Sequence, residues 1–116
     1  MSGATVTVLM ATHNGAPTLR RVLEAYCQLQ APPGGFKVIV ADNASTDSTP
    51  NILAAFVDRL PLLVKNAPER GKNRALNSAI HLVEGDLVIL TDDDSVPVPG
   101  WLIVLCRAAL QARQCT

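Results

Sequence analysis

The sequence predicts an α/β domain built on a mainly parallel sheet with helices on both faces. Two observations carry that prediction. Four short apolar runs alternate with stretches whose apolar residues recur at helical spacing, in the order β-α-β-α-β-α-β-loop-α. Each apolar run also ends in a polar loop. Alternation of this kind implies right-handed crossovers between parallel strands. Ligands of such sheets bind outside the carboxyl ends of the strands, near the point where strand order reverses.

Thr5–Ala11 is continuous and rich in β-formers, as a strand buried on both faces should be. It ends in Thr12-His13-Asn14-Gly15, and Pro17 suits the first turn of a helix. Leu19, Val22, Leu23, Tyr26 and Cys27 form that helix's apolar face, with Arg20, Arg21 and Glu24 opposite. Pro32-Pro33-Gly34-Gly35 breaks the chain before the second strand, Phe36–Ala41. The following loop is Asp42-Asn43-Ala44-Ser45-Thr46-Asp47, in which Thr46 or Asp47 can cap the next helix. Ile52, Leu53, Phe56, Val57 and Leu60 line that helix, Pro61 ends it, and Leu62–Lys65 is a short third strand.

Asn66–Gly71 is a loop, and Lys72–Val83 reads as a third helix with Ala75, Leu76, Ala79, Ile80 and Val83 on one side. Gly85–Asp86 is a turn signal, and Leu87–Leu90 reads as a buried fourth strand. Asp92, Asp93 and Asp94 come next, then Ser95, Pro97 and Pro99, which stop any regular element. Trp101–Arg113 is helical again.

With 116 residues, the chain is long enough for one cored domain and too short for two, so residues 1–116 are read as a single domain. Hydrophobic residues make up 48% and charged residues 17%, a globular rather than disordered composition. The formal net charge is zero and aromatics are only 3%, which argues against a nucleic-acid partner: there is neither a basic field nor a stacking platform. No apolar run approaches the length of a transmembrane segment, and the N-terminus lacks a secretory pattern. Cys27, Cys106 and Cys115 have no metal or redox spacing and read as plain thiols, which fits a cytoplasmic, reducing setting.

The predicted topology puts Thr12–Gly15, Asp42–Asp47, Asn66–Lys72 and Asp92–Asp94 on one rim. Three successive carboxylates repel one another, and a fold relieves that by solvation, by protonation or by binding a cation. Hard divalent ions take one or two carboxylates plus substrate phosphates, so the triplet is either a metal–phosphate site or a solvated acidic turn. Lys72 and Arg74 lie in the first turn of their helix, against its dipole, and with the free amides there make a candidate anion corner; the alternative is two solvated cations. Asp42 can accept hydrogen bonds from a nucleobase edge or a ribose, or simply form a local turn. Asp47 is better placed as a helix cap than as a ligand. His13 is a candidate base or a polar surface group, and Asn77 either bonds a facing loop or is exposed. A phosphoryl-transfer domain of this pattern needs an acidic nucleophile after the first strand, where Thr12-His13-Asn14 stands instead.

Four blocks, in order, are VTVLMATHNG, VIVADNASTDST, RGKNRALNSAI and GDLVILTDDDSVPVPGWL. Together they resemble the nucleotide-sugar-binding half of a family 2 glycosyltransferase over about Thr5–Leu110. The resemblance implies a truncated GT-A fold, Rossmann-like in its sheet, that binds a nucleotide-diphospho-sugar donor for transfer to an unknown acceptor. It implies that Asp42 faces the nucleobase, that Thr12 and Asn14 line the nucleotide pocket partly through backbone, and that Lys72 or Arg74 meets base or phosphate. Asp92 would contact ribose or the metal shell, and Asp94 would ligate Mn²⁺ or Mg²⁺ on the diphosphate. The chain departs from the family pattern at Ala11, His13, Leu76 and Ala79, where Pro, Tyr, Arg and Gly are usual. The family's general base and acceptor site come from a further half, so no catalytic residue is assigned and the chain by itself is expected not to transfer sugar. A non-catalytic nucleotide- or metal-binding module is the alternative. Further strands cover the sheet beyond the fourth strand in that fold; an uncovered apolar edge here predicts a homo-oligomer.

Overall fold

A computed structural model describes residues 5–85 and 87–115, with side chains through 109. The elements are β1 (Val6–Thr12), α1 (Ala16–Cys27), β2 (Phe36–Asp42), α2 (Thr49–Phe56), β3 (Leu62–Asn66), α3 (Lys72–Ala79), β4 (Leu87–Asp92) and α4 (Trp101–Cys115). The sheet is parallel throughout, in the order β3-β2-β1-β4. β1 and β2 are central and largely buried, as strands with apolar residues on both faces should be.

The chain steps from β1 to β2 to β3 in one direction, then crosses back over β2 and β1 to reach β4. Right-handed crossovers put helices of opposite step direction on opposite faces. Val8, Met10, Val38 and Val40 accordingly pack with Leu19, Leu23 and Tyr26 of α1, Leu53 and Phe56 of α2, and Leu102 and Cys106 of α4. The other face is smaller: Leu9, Ile39 and Ala41 pack against Ala75 and Ala79 of α3. The small side chains at 75 and 79, both fully buried, let α3 lie close to the strands.

Three local expectations are corrected. β4 is an edge strand that alternates, not a buried one: Leu87 and Ile89 pack inward, while Val88 and Leu90 are 40% and 63% exposed. Its outer face stays open because α3 packs over β1 and β2. α3 ends at Ala79 rather than Val83. Ser78 Oγ donates back to the Ala75 carbonyl at 2.7 Å, and Ile80–Leu82 tightens into a 3₁₀ turn that leaves Ile80 exposed. Finally, the N-cap position of α2 is Ser48, but its side chain makes no cap bond; Asp47, one residue earlier, accepts the Thr49 amide instead.

Asp86 of the predicted Gly85–Asp86 turn lies outside the described residues, as does the Cys115 side chain. Cys27 and Cys106 are unpaired thiols at the core, and burial pushes the Cys106 thiol up. No helix among the described residues is long and apolar enough to cross a membrane.

The Tyr26 ring meets Trp101 edge-on, with centroids 6.0 Å apart, and joins α1 to α4. Its hydroxyl is buried without a hydrogen bond; Thr91 stands close enough to soften the effect of burial but closes no bond. Burial pushes the phenol up to about 12. An unfolded tyrosine ionises near pH 10, so the contribution of this group is complete below about pH 10 and is lost as pH rises toward about 12, at up to ~1.4 kcal/mol per pH unit. Urea unfolding at pH 8 to 11 should show a steeper alkaline loss for the parent than for Tyr26→Phe, with the variant no less stable at pH 8. Parallel losses would contradict this account of Tyr26.

Candidate functional site

Parallel register sets the rim. Thr12 pairs with Asp42 and Asp42 with Asn66, while Asp92 pairs with Ala11. The loops after all four strands therefore emerge side by side, at the place where β1 separates the two directions of chain travel.

The three aspartates after β4 have three different environments. Thr12 Oγ1, itself buried, donates to Asp93 Oδ2 at 2.6 Å, and Thr18 Oγ1 donates to the Asp93 carbonyl at 3.1 Å. These bonds pin the acidic loop to the β1–α1 turn. Gly15 is required there, because a Cβ would collide with Thr12 Oγ1 and Asp93 Oδ2. Asp92 is exposed and accepts a hydrogen bond from Lys72 Nζ at 2.7 Å. Asp94 is exposed, with no hydrogen bond or ion pair to any of the described residues. Hydrogen bonding to Asp92, with the added charge of Asp92, Asp93 and Asp94, holds the Lys72 ammonium above the usual lysine range. Ala11, His13, Asn43, Lys72 and the three aspartates line an open polar cleft of about 290 Å³.

Two asparagines shape the loops around that cleft. Asn43, buried, donates from Nδ2 to the carbonyls of Ala67 and Glu69 at 2.9 and 2.6 Å. Its Oδ1 accepts the Gly71 amide at 3.0 Å. One side chain thus fixes the β3–α3 loop and the start of α3. Gly71, at φ 132°, precedes a helix start with no side-chain cap. Asn14 takes the left-handed φ of 50°; its Oδ1 accepts the amides of Thr46 at 2.7 Å and Asp47 at 3.3 Å, and its own amide donates to Ser45 Oγ at 3.0 Å. Asp47 in turn accepts the Thr49 amide at 2.9 Å and the Ala16 amide at 3.3 Å, so it serves both helix starts. Those bonds, the Thr49 hydroxyl first, hold its carboxyl below the usual range. His13 Nδ1 donates to the Asn43 carbonyl at 2.7 Å, which puts a proton on Nδ1.

Asp42 ends β2 at 7% exposure, and its Oδ1 is buried with no partner. A buried unpaired carboxylate oxygen is costly, and a ligand N–H is one way to satisfy it. The structure brings Asp92, Asp94 and Lys72 together at one cleft and places Thr12 and Asn14 as the bonds that hold its loops. It does not bring Arg74 there. Arg74 pairs with Glu69 at 3.2 Å and lines a separate recess with Lys65, Asn66 and Ser78. Asn77 is exposed on α3. The structural weight of Asn43 escaped the sequence reading; an asparagine directly after a strand's last residue, facing a Gly-containing loop, was the available signal.

The family model described as "Glycosyl transferase family 2" matches residues 7–114. The chain belongs to glycosyl transferase family 2. It is 33% identical over 94 residues to a beta-monoglucosyldiacylglycerol synthase of a Nostoc species, covering 78% of this chain and 20% of that protein. It also superposes on the mannosyltransferase PcManGT of Pyrobaculum calidifontis, solved with GDP-Man and Mn²⁺, at TM-score 0.80 and 32% identity. That match covers 92% of this chain and 32% of the other. Glucosyl-3-phosphoglycerate synthase of Mycobacterium tuberculosis, solved with Mn²⁺, UDP and glucosyl-3-phosphoglycerate, matches at TM-score 0.74 and 26% identity, over 93% of this chain and 40% of that one. The chain thus spans about a fifth of the length of that curated relative and a third or so of the solved structures.

The cleft of this glycosyltransferase family 2 domain presents carboxylate oxygens, the donor type that hard divalent ions take. Asp94 and Asp92 Oδ2 make no bond to a described residue, Asp92 Oδ1 is held by Lys72, and among the described residues no group of three or more His, Cys, Asp or Glu is placed to hold a metal ion without a ligand's help. Two carboxylates are what an ion needs when a diphosphate completes its shell.

Proposed function

We propose that this domain binds a nucleotide-diphospho-sugar together with Mn²⁺ or Mg²⁺ and serves as the donor half of sugar transfer to an acceptor. The observation that carries the reading is the cleft in which Asp92, Asp94 and Lys72 meet at the carboxyl rim of a parallel sheet. The Mn²⁺ and nucleotide ligands of the two solved structural neighbours support it.

In this reading Asp42 Oδ1 accepts an N–H from the nucleobase edge, which relieves its unpaired burial. Asp92 and Asp94 hold the ion, and Lys72 and the uncapped amides of α3 face the diphosphate. Thr12, Asn14 and Asn43 act through the loops they hold. The ion, when bound, supplies neutralisation of the departing nucleoside diphosphate. His13 lines the cleft and its Nε2 lies 3.4 Å from Asn14 Nδ2; no catalytic role is assigned to it in this reading. Acceptor binding and deprotonation are assigned to no residue of this chain.

Calorimetry with UDP and GDP, with and without Mn²⁺, tests the reading. One of the two should bind, and Mn²⁺ should tighten it. Asp94→Ala should weaken Mn²⁺-dependent binding at least about tenfold, or ~1.4 kcal/mol, with unchanged circular dichroism, because this exposed side chain makes no bond in the fold. Asp92→Asn should lose less, since it keeps one hydrogen-bonding oxygen. Parent-like binding by Asp94→Ala would remove the metal assignment.

The exposed Val88 and Leu90 on the β4 edge support association of copies through that edge. Sedimentation should then show a dimer or larger species; a clean monomer at high micromolar concentration would contradict it.

A further inference from the structure

Lys72 reaches from the first turn of α3 to Asp92 Oδ1 at 2.7 Å. Helix stability does not explain it, because a cation in the first turn opposes the helix dipole. Nor does the strength of the pair. The two side chains are 60% and 56% exposed, and ion pairs of that kind contribute little. The position does account for the acidic loop. The Asp93 carboxylate accepts from Thr12, while Asp92 and Asp94 face the same cleft with no other lysine or arginine of the described residues lining it. Arg74 is engaged by Glu69 in a different recess.

The backbone beneath Lys72 is fixed, since Asn43 Oδ1 holds the Gly71 amide and Asn43 Nδ2 holds the loop before it. The lysine stem above that anchor is flexible, and its ammonium is a compact charge that can change partners. A divalent ion on Asp92 would share an oxygen with Lys72 and repel it. The exposed ammonium leaves Asp92 for water with no gain, whereas a diphosphate entering the cleft offers it another anion.

We infer that Lys72 is a built-in counter-ion that occupies Asp92 until a nucleoside diphosphate draws it away, so that the divalent cation and the nucleotide bind interdependently. This rests on the donor-site reading above and adds an order to it. Cation alone binds weakly, because it must displace Lys72 without compensation. Cation with nucleotide binds well, because the displaced ammonium moves to phosphate. Coupling of this kind is reciprocal, so each ligand tightens the other by the same factor.

The test compares the parent with Lys72→Met and Lys72→Arg. Affinity for Mn²⁺ alone is read from the electron paramagnetic resonance of the free ion, and affinity for UDP or GDP at saturating Mn²⁺ by calorimetry. In Lys72→Met, Mn²⁺ alone should bind about threefold tighter, the scale of an exposed ion pair. The nucleotide at saturating Mn²⁺ should bind about tenfold more weakly. Lys72→Arg should return Mn²⁺ affinity to within about twofold of the parent, since a cation again stands on Asp92. A purely structural role would move both affinities in the same direction or neither, and either result overturns the inference. A parent that binds nucleotide with Mn²⁺, alongside a Lys72→Met variant identical to it, removes the counter-ion role and leaves the donor site standing. A parent that binds neither UDP nor GDP with Mn²⁺ removes both.

Discussion

The rim depends on the parallel hydrogen bonding of β1 to strands on both of its sides. That register places Asp42 beside Thr12 and Asp92 beside Ala11, and it lets four loops share one edge of the sheet. β1 can hold this place only because its side chains are apolar on both faces, with α1, α2 and α4 covering one and α3 the other. The unequal thickness of those two layers has a consequence. The α3 layer is narrow, so Val88 and Leu90 of the edge strand β4, which leads into the acidic loop, stay exposed.

On that frame, the fold distributes a local electrostatic problem among its neighbours. Three carboxylates in succession repel, and each finds a different answer: Asp93 a buried threonine hydroxyl, Asp92 a lysine, Asp94 water. The first answer is structural and positions the loop. The other two leave charge at the surface of the cleft, available to a ligand. Asp42 adds a fourth carboxylate, with one oxygen buried and unpaired a strand away from Thr12. Such arrangements cost stability and point to a site whose polar groups are completed on binding.

Much of this was legible in the sequence because the signals were local. The apolar runs of β1 and β2, the prolines before and after elements, and the polar loop after each strand all follow from nearest-neighbour chemistry. The four motif blocks placed the rim and the acidic triplet. What escaped depends on contacts distant in sequence. Whether Leu87–Leu90 lies at the centre or the edge of a sheet is a matter of strand order. Lys72 and Arg74 are two residues apart, yet only the fold sends one to Asp92 and the other to Glu69. The bonds of Asn14 to Thr46 and of Asn43 to Gly71 bridge loops some 30 residues apart, so no spacing rule reveals them.

The central claim is that the carboxyl rim is a nucleotide-and-metal site. The most direct measurement is backbone amide NMR of the chain with UDP or GDP and Mg²⁺, followed by a trace of Mn²⁺. Shifts should cluster at Thr12–Asn14, Asp42–Asn43 and Gly71–Lys72, and Mn²⁺ broadening should centre on Asp92–Ser95. Perturbations centred instead on Gly34–Lys37 and Glu84–Gly85, which line a recess at the opposite end of the strands, would contradict the account.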